Sequence, residues 1–376
     1  GAILSTLAMF EVGASFCMKA TITRHVAFWR STEPEKACAV IHFGRKITFI
    51  TALFFVALMF FSAPYLSSKM LVAPHLCHYI QLVSIALLFI AIDAVQTGSL
   101  LGYEDTKSVA YASIIYGTSY PLLASMGAFL WRLKGAIVAF VICSIIKCIF
   151  NNFRLHKIVP KFPRKTDDKS NFNVMSLIFR FNLPILFSGI FVTPVSWLAN
   201  TILLRNSDGY AQMGLLAIAL SWSQIITFVP SATGELATPV LSNLLSGQDK
   251  NKFRNALRIK KILAGSTAFL AALFIIIFSE KIVLLYGKSF AEAKTVLVMM
   301  AISSFITAIL SPLGSFITSG GMMWLSFALN VLWAITYIGL CLLIIPVSGA
   351  VGLAFSQFIS YSFLLFLEVI ILFLFW

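Results

Sequence analysis

Apolar residues in this chain run on for about 18–25 positions at a stretch, the length a helix needs to cross the hydrocarbon of a bilayer. Eleven such stretches lie near 1–20, 47–66, 77–100, 109–131, 135–152, 183–204, 213–231, 262–280, 295–317, 322–345 and 349–374. Strands of a transmembrane barrel would instead alternate apolar and polar positions over about ten residues. With no water to satisfy an open backbone in lipid, only helices remain. The pattern predicts an all-α polytopic membrane protein of about 11 transmembrane helices.

Composition agrees. Of 376 residues, 59% are apolar, 11% are charged and 35 are Phe; mean hydropathy is +0.93. A soluble domain is about 25% charged, so this chain lacks the polar skin that a soluble fold requires. The same figures exclude intrinsic disorder. The six cysteines fall mostly within the apolar stretches and show no CxxC or CxxH spacing. They read as small apolar residues, with no metal or disulfide framework.

The net charge of +14 invites a nucleic-acid reading, but its distribution does not. Of the 28 Lys and Arg, 21 lie around 19–46, 107, 147–180 and 250–261. The other loops hold the remaining seven: Lys69, Arg132, Lys134, Arg205, Lys281, Lys288 and Lys294. Such an excess on alternate loops is the positive-inside signature. It predicts cytoplasmic long loops (21–46, 153–182 and 232–261), a C-terminus in the cytoplasm and Gly1 outside. The basic charge is therefore topological, favourable beside anionic headgroups.

An internal repeat is legible as well. Gly1-Ala2-Ile3-Leu4 resembles Gly214-Leu215-Leu216-Ala217, and Lys36 with Arg45-Lys46 matches Lys250 with Lys260-Lys261. Gly98-Ser99 matches Gly314-Ser315, and Gly135-Ala136-Ile137 matches Gly349-Ala350-Val351. Four matches in order at one offset predict two parallel pseudo-repeat lobes. The stretch 183–204 has no counterpart in the first copy, so the plan reads as six plus six with the first helix missing. We expect an N-terminal lobe over 1–152, a basic cytoplasmic inter-lobe loop over 153–182 and a C-terminal lobe over 183–376. Parallel lobes related by an axis along the membrane normal are one of the repeat plans of transporters.

No H-E-x-x-H, Walker A loop, G-x-G-x-x-G or G-x-S-x-G in a strand–helix context occurs, and none of the five His stands four residues from an Asp. The expectation is a protein that is not an enzyme and carries no cofactor. Polar residues inside the spans then carry the chemistry, because each is costly there unless paired or hydrated. Glu11 sits mid-span, and Asp93 lies deep in its stretch, one turn before Gln96 and Thr97; either could couple or gate transport, or tie helices together. Glu368 on the last span has the blander reading of an acid paired near a helix end. Lys19 and Lys147 lie toward helix ends, where lysines usually snorkel. Arg205 closes its span with a planar fork suited to phosphate oxygens, or else anchors at the interface. Trp197, Asn200, Trp222 and Gln224 offer an aromatic and amide wall for a sugar, with plain packing as the competing role. Pro194 and Pro312 interrupt their spans and Pro184 and Pro230 lie near span ends, where the helix ladder can flex.

At this level the chain resembles the polysaccharide transport branch of the multidrug/oligosaccharidyl-lipid/polysaccharide exporter superfamily, which includes O-antigen flippases. Met9-Phe10-Glu11-Val12-Gly13 carries the resemblance, with Gly98-Ser99-Leu100-Leu101-Gly102-Tyr103-Glu104, Gly127-Ala128 and Lys134-Gly135-Ala136. In the second half it rests on Leu183-Pro184, Pro194-Val195-Ser196-Trp197, Met213-Gly214, Trp222 and Pro239-Val240-Leu241-Ser242. The resemblance implies a two-lobed flippase moving an undecaprenyl-diphosphate-linked oligosaccharide, an O-antigen or other surface polysaccharide unit, across the bacterial inner membrane. It implies a cleft lined by Lys19, Trp197, Asn200, Arg205, Trp222 and Gln224, with Glu11 and Asp93 coupling transport to H+ or Na+. Expected partners are that polyprenyl-diphosphate-linked oligosaccharide, membrane lipids and other polysaccharide assembly proteins. A multidrug/cation antiporter of the same superfamily is the alternative; a lipid II flippase, a membrane polymerase or acyltransferase and a scaffold stand further back.

Overall fold

The computed structural model describes residues 1–158, 183, 186, 187, 189, 191–206, 208–246, 250–287, 290–319 and 322–375. The described residues contain seven helices long and apolar enough to cross a membrane, or eight when a bent pair at the N-terminus counts as one. The chain divides into two compact units, Ala2–Thr193 and Pro194–Trp376, the second joined by Gly1.

In the N-terminal unit, α1 (Ala2–Ser15) and α2 (Met18–Trp29) meet at 40°. Phe16 and Cys17 make the bend with φ of 49° and 52°, a left-handed conformation that side chains with a Cβ adopt only under strain. The apolar stretch 1–20 is thus two helices, because a corner replaces the continuous ladder. The expected loop 21–46 is mostly helix too: α2 continues to Trp29, and α3 (Pro34–Tyr65) starts on a proline, whose missing N–H costs nothing at a first turn. After Pro64 a π turn (Leu66–Met70) and a short 3-10 turn (Pro74–Leu76) lead into α4 (Cys77–Gly102). Helix α4 is the centre of the unit, packed against α1, α2, α3 and α5 (Thr106–Ile158). Its glycines permit this. A Cβ at Gly98 would lie 2.6 Å from the Lys19 carbonyl oxygen, and one at Gly102 would lie 2.6 Å from Val26 Cβ. Thr23 Oγ1 closes the contact by donating to the Gly98 carbonyl at 3.1 Å. Small residues that let helix backbones meet are the usual adhesive in membranes, where no hydrophobic force draws helices together.

Helix α5 is a hairpin. Trp131 and Arg132 leave helical geometry, and the Tyr120 and Phe140 rings meet across the arms with centroids 5.7 Å apart. At the crossing a Cβ on Gly135 would stand 1.9 Å from the Gly127 carbonyl oxygen. Gly135→Ala is therefore expected to force the arms apart and destabilise the unit by about 1–3 kcal/mol, the usual range for overpacking; thermal unfolding of the purified protein measures it.

The C-terminal unit repeats this order of elements. Helix α6 (Phe191–Leu204) belongs to it from Pro194, and is followed by α7 (Gly209–Ser246), α8 (Lys250–Leu284), α9 (Ala293–Ser319) and α10 (Met323–Phe375). Here α9 is central, packed against α7, α8 and α10. Gly314-Ser315 lies on this helix and Gly98-Ser99 on α4. Helix α10 is again a hairpin, broken at Gly349 with φ +55°. Gln212 Oε1 accepts from the Ala350 backbone N–H at 3.0 Å, and Asn206 Nδ2 donates to the Ile345 carbonyl at 2.9 Å, so the α7 start holds the turn.

The sequence-based number of about 11 spans exceeds seven or eight because two apolar helices are hairpins and α6 is shorter than 18 residues. The expected loop over 232–261 is helix for most of its length, with α7 running to Ser246 and α8 beginning at Lys250. At 35 residues α8 is about 50 Å long, so its basic first turns outlast the apolar layer. The expected inter-lobe loop 153–182 is helical as far as Ile158; beyond that it lies outside the described residues, as does Pro184.

Side-chain burial follows a lipid solvent. Phe61 and Phe129 are 79% and 90% exposed, while Asp93, Gln96, Thr97 and Ser99 on α4 are buried. Polar groups face inward, where helices can satisfy them.

Candidate functional site

Asp93 on α4 is the centre of a buried polar cluster in the N-terminal unit. Lys147 Nζ, from the second arm of α5, lies 2.9 Å from Asp93 Oδ2. One turn further along the same arm, Asn151 Nδ2 donates to Asp93 Oδ1 at 2.6 Å and to Thr97 Oγ1 at 3.3 Å. The i,i+4 spacing of Lys147 and Asn151 puts both side chains on one face of the arm. Lys147 also stands over the Tyr116 ring, 5.7 Å from its centroid. Glu11 on α1 is half-buried, within electrostatic range of both Asp93 and Lys147. The cluster thus holds two carboxylates and one lysine.

Two acceptors in it are unmet. With Asn151 Nδ2 committed to Asp93, its Oδ1 is buried without a hydrogen-bond partner, and so is Gln96 Oε1. Buried polar atoms nearly always find a partner, so acceptors left over beside a carboxylate suit a water, a proton donor or a small cation. Among the described residues no group of three or more His, Cys, Asp and Glu is placed to hold a metal ion.

The C-terminal unit has a different polar feature. A cavity of about 120 Å³ is lined by Ser196 and Asn200 of α6, Leu216 and Leu220 of α7, and Trp333, Tyr337, Leu353, Gln357 and Tyr361 of α10. The Trp333 ring stacks with Tyr337 at 5.0 Å and lies 5.4 Å from Tyr361, which joins the two arms of the hairpin. Among the described residues no charged side chain lines it.

Of the residues expected at a site, Glu11 and Asp93 share the first cluster, and Asn200 lines the cavity. The others are placed elsewhere. Lys19 begins α2, its carbonyl against Gly98. Trp197 is buried beside Asn200 in α6 without lining the cavity. Arg205 is exposed just past the end of α6, and Gln224 is exposed on α7. Trp222 Nε1 donates to the Tyr286 hydroxyl at 3.2 Å and is not among the residues lining the cavity. Lys147 does not snorkel, because Asp93 holds it. Glu368 is buried at 7% exposure, where a pairing near a helix end was the expectation. Sequence reading passed over Asn151 and the Trp333, Tyr337, Gln357 and Tyr361 set. The i,i+4 pair Lys147 and Asn151 within an apolar stretch was the available signal for the first.

In the C-terminal unit Lys260 is also buried, donating from Nζ to Ser315 Oγ and, at 3.4 Å, to the Ser311 carbonyl. The match of Lys260 with Arg45 extends to their contacts, since Arg45 also reaches a neighbouring helix, donating to Asn152 Oδ1 at 3.1 Å.

A multi-pass bundle with apolar outer faces and polar centres defines the class of protein as an all-α integral membrane protein. Among solved structures, the fold is similar to the Vibrio cholerae MATE transporter VcmN (TM-score 0.76, 14% identity, 97% of this chain and 84% of that one). It is also similar to a MOP superfamily transporter from Pyrococcus furiosus (TM-score 0.74, 15% identity, 98% and 84%). The family model for polysaccharide biosynthesis proteins matches residues 45–295, and the chain belongs to that family. Among curated proteins, it is 26% identical over 191 residues to the EPS I polysaccharide export inner membrane protein EpsE of Ralstonia nicotianae, covering 48% of this chain and 42% of the relative. The chain spans less than half the length of the curated relatives it matches.

Proposed function

We propose that the chain exports polysaccharide precursors: it translocates a polyprenyl-diphosphate-linked oligosaccharide across the bacterial inner membrane, with the exchange of H+ or Na+ at Glu11 driving the cycle. The observation that supports this most is the Glu11–Asp93–Lys147–Asn151 cluster, a charged network kept inside an apolar bundle of a polysaccharide family. Charges in a membrane interior are expensive, and a purely structural helix contact does not need them. The head group carries charge and sugar hydroxyls that hydrocarbon excludes, so it must pass through polar protein, while the polyprenyl tail stays in lipid. Rocking lobes that expose a cleft first to one side and then to the other suit that division. An ion that binds one of the two states better supplies the bias.

The test is complementation in a bacterium that lacks its own lipid-linked oligosaccharide flippase. Surface polysaccharide should return when the chain is expressed. Continued accumulation of the lipid-linked precursor in cells that insert the protein stably would overturn the reading, and a gain of dye efflux in those cells would favour the multidrug/cation antiporter.

A further inference from the structure

The cavity in the C-terminal unit is lined by one buried, unpaired donor and two amides. Trp333 is 2% exposed, and its indole N–H is buried and unpaired. Asn200 and Gln357 present half-buried amides to the same space. These three residues come from α6 and both arms of α10, and all line the same space. Buried donors nearly always find a partner, so the unpaired indole N–H beside two amides in one cavity marks a place suited to an occupant that bears hydrogen-bonding groups.

The lining decides the chemistry. Among the described residues no Lys, Arg, His, Asp or Glu lines the cavity, so none of them neutralises a diphosphate or offsets an organic cation there. Trp333, Tyr337 and Tyr361 supply aromatic edges and hydroxyls, Leu216, Leu220 and Leu353 an apolar wall, and the amides of Asn200 and Gln357 both donors and acceptors. A neutral ring that is apolar on its face and hydroxylated on its rim matches that surface. The volume of about 120 Å³ lies well below that of a pocket for a drug-sized ligand, so the occupant is no larger than one such ring. We infer that the Asn200–Trp333–Gln357–Tyr361 cavity is a binding site for a single neutral pyranose unit. This rests on the export reading for the source of the sugar, as one residue of the exported oligosaccharide, and on the cavity alone for its chemistry.

The probes are methyl glycosides of glucose, galactose, mannose, rhamnose and N-acetylglucosamine, tested against the full chain in lipid nanodiscs by saturation-transfer NMR. At least one glycoside should receive saturation. Asn200→Leu combined with Gln357→Leu should lower its affinity by about tenfold, since a site built around hydrogen bonds loses them without replacement. Trp333→Phe keeps the aromatic stack and removes only the N–H, so it tests the idea if the double variant fails to fold; a several-fold loss is expected. No transfer from any glycoside would mean that water alone fills the cavity and would overturn the inference. So would transfer undiminished in both variants. Complementation separates the two readings: glycoside binding that these variants weaken, in a chain that restores no export, keeps the site and removes the export reading.

Discussion

Replacing Lys147 with methionine is expected to lower the stability of the N-terminal unit by about 3 kcal/mol, the lower end of the cost of breaking a buried ion pair from one side. The Asp93 side chain is only 11% exposed, so without Lys147 it keeps a charge that Asn151 can solvate at one oxygen alone. The lower end applies because the Lys147 side chain is 29% exposed, and some water reaches the pair. Methionine preserves the length and the contact with Tyr116, so lost packing adds little. Asp93→Asn should cost less than Lys147→Met, because Lys147 can turn toward Glu11. The double variant Asp93→Asn/Lys147→Met should recover most of the loss, since no buried charge is then left alone and an amide at 93 still meets Asn151. Thermal unfolding in nanodiscs reads this as a midpoint lowered by about 6–12 °C for Lys147→Met. A double variant no more stable than Lys147→Met would show that the carboxylate is not the source of the cost.

The class of fold was legible because the bilayer sets one length scale, and every apolar stretch reports it. Of the glycines matched on sequence, Gly98 and Gly314 lie on α4 and α9, Gly349 at the break in α10 and Gly135 just past the break in α5. The corner at Phe16 and Cys17 was not legible, since neither residue type favours a left-handed backbone and only packing around α4 imposes it. Nor were the helical extensions into the polar stretches 21–29 and 34–46. Hydropathy reports where lipid begins, not where a helix ends. Asp93 stood out as a charge inside an apolar stretch, but its partner Lys147 had the ordinary look of a lysine near a helix end. Hydrogen-bond geometry between α4 and α5 is needed to see the pair. The C-terminal cavity was harder still. Trp333, Tyr337, Gln357 and Tyr361 are common residues of membrane helices, and only the fold of α10 back on itself brings them to Asn200.

Glu11→Gln is expected to reduce gradient-driven transport by about 10²-fold, the scale on which losing a positioned proton-transfer group acts. Charge arithmetic within the cluster singles this residue out. Asp93 is committed to Lys147 and Asn151, which leaves Glu11 as the carboxylate without a lysine of its own. An acid in that position takes up a proton or a sodium ion at little structural cost and changes the net charge of the cluster from −1 to 0. The bend at Phe16 and Cys17 stands five residues away, so a change of charge on α1 acts next to the strained corner of its own span. Glutamine keeps the size and the hydrogen-bonding edge while removing the titration, so stability should stay within about 1 kcal/mol of the parent, as for a change that leaves no buried charge unpaired. Proteoliposomes loaded with a lipid-linked oligosaccharide separate coupling from binding: an imposed H+ or Na+ gradient should accelerate translocation by the parent chain and leave Glu11→Gln unaffected, and Glu11→Asp should keep part of the response. A Glu11→Gln protein that still answers to both gradients would move the coupling role to Asp93, where Asp93→Asn would then have to abolish the response.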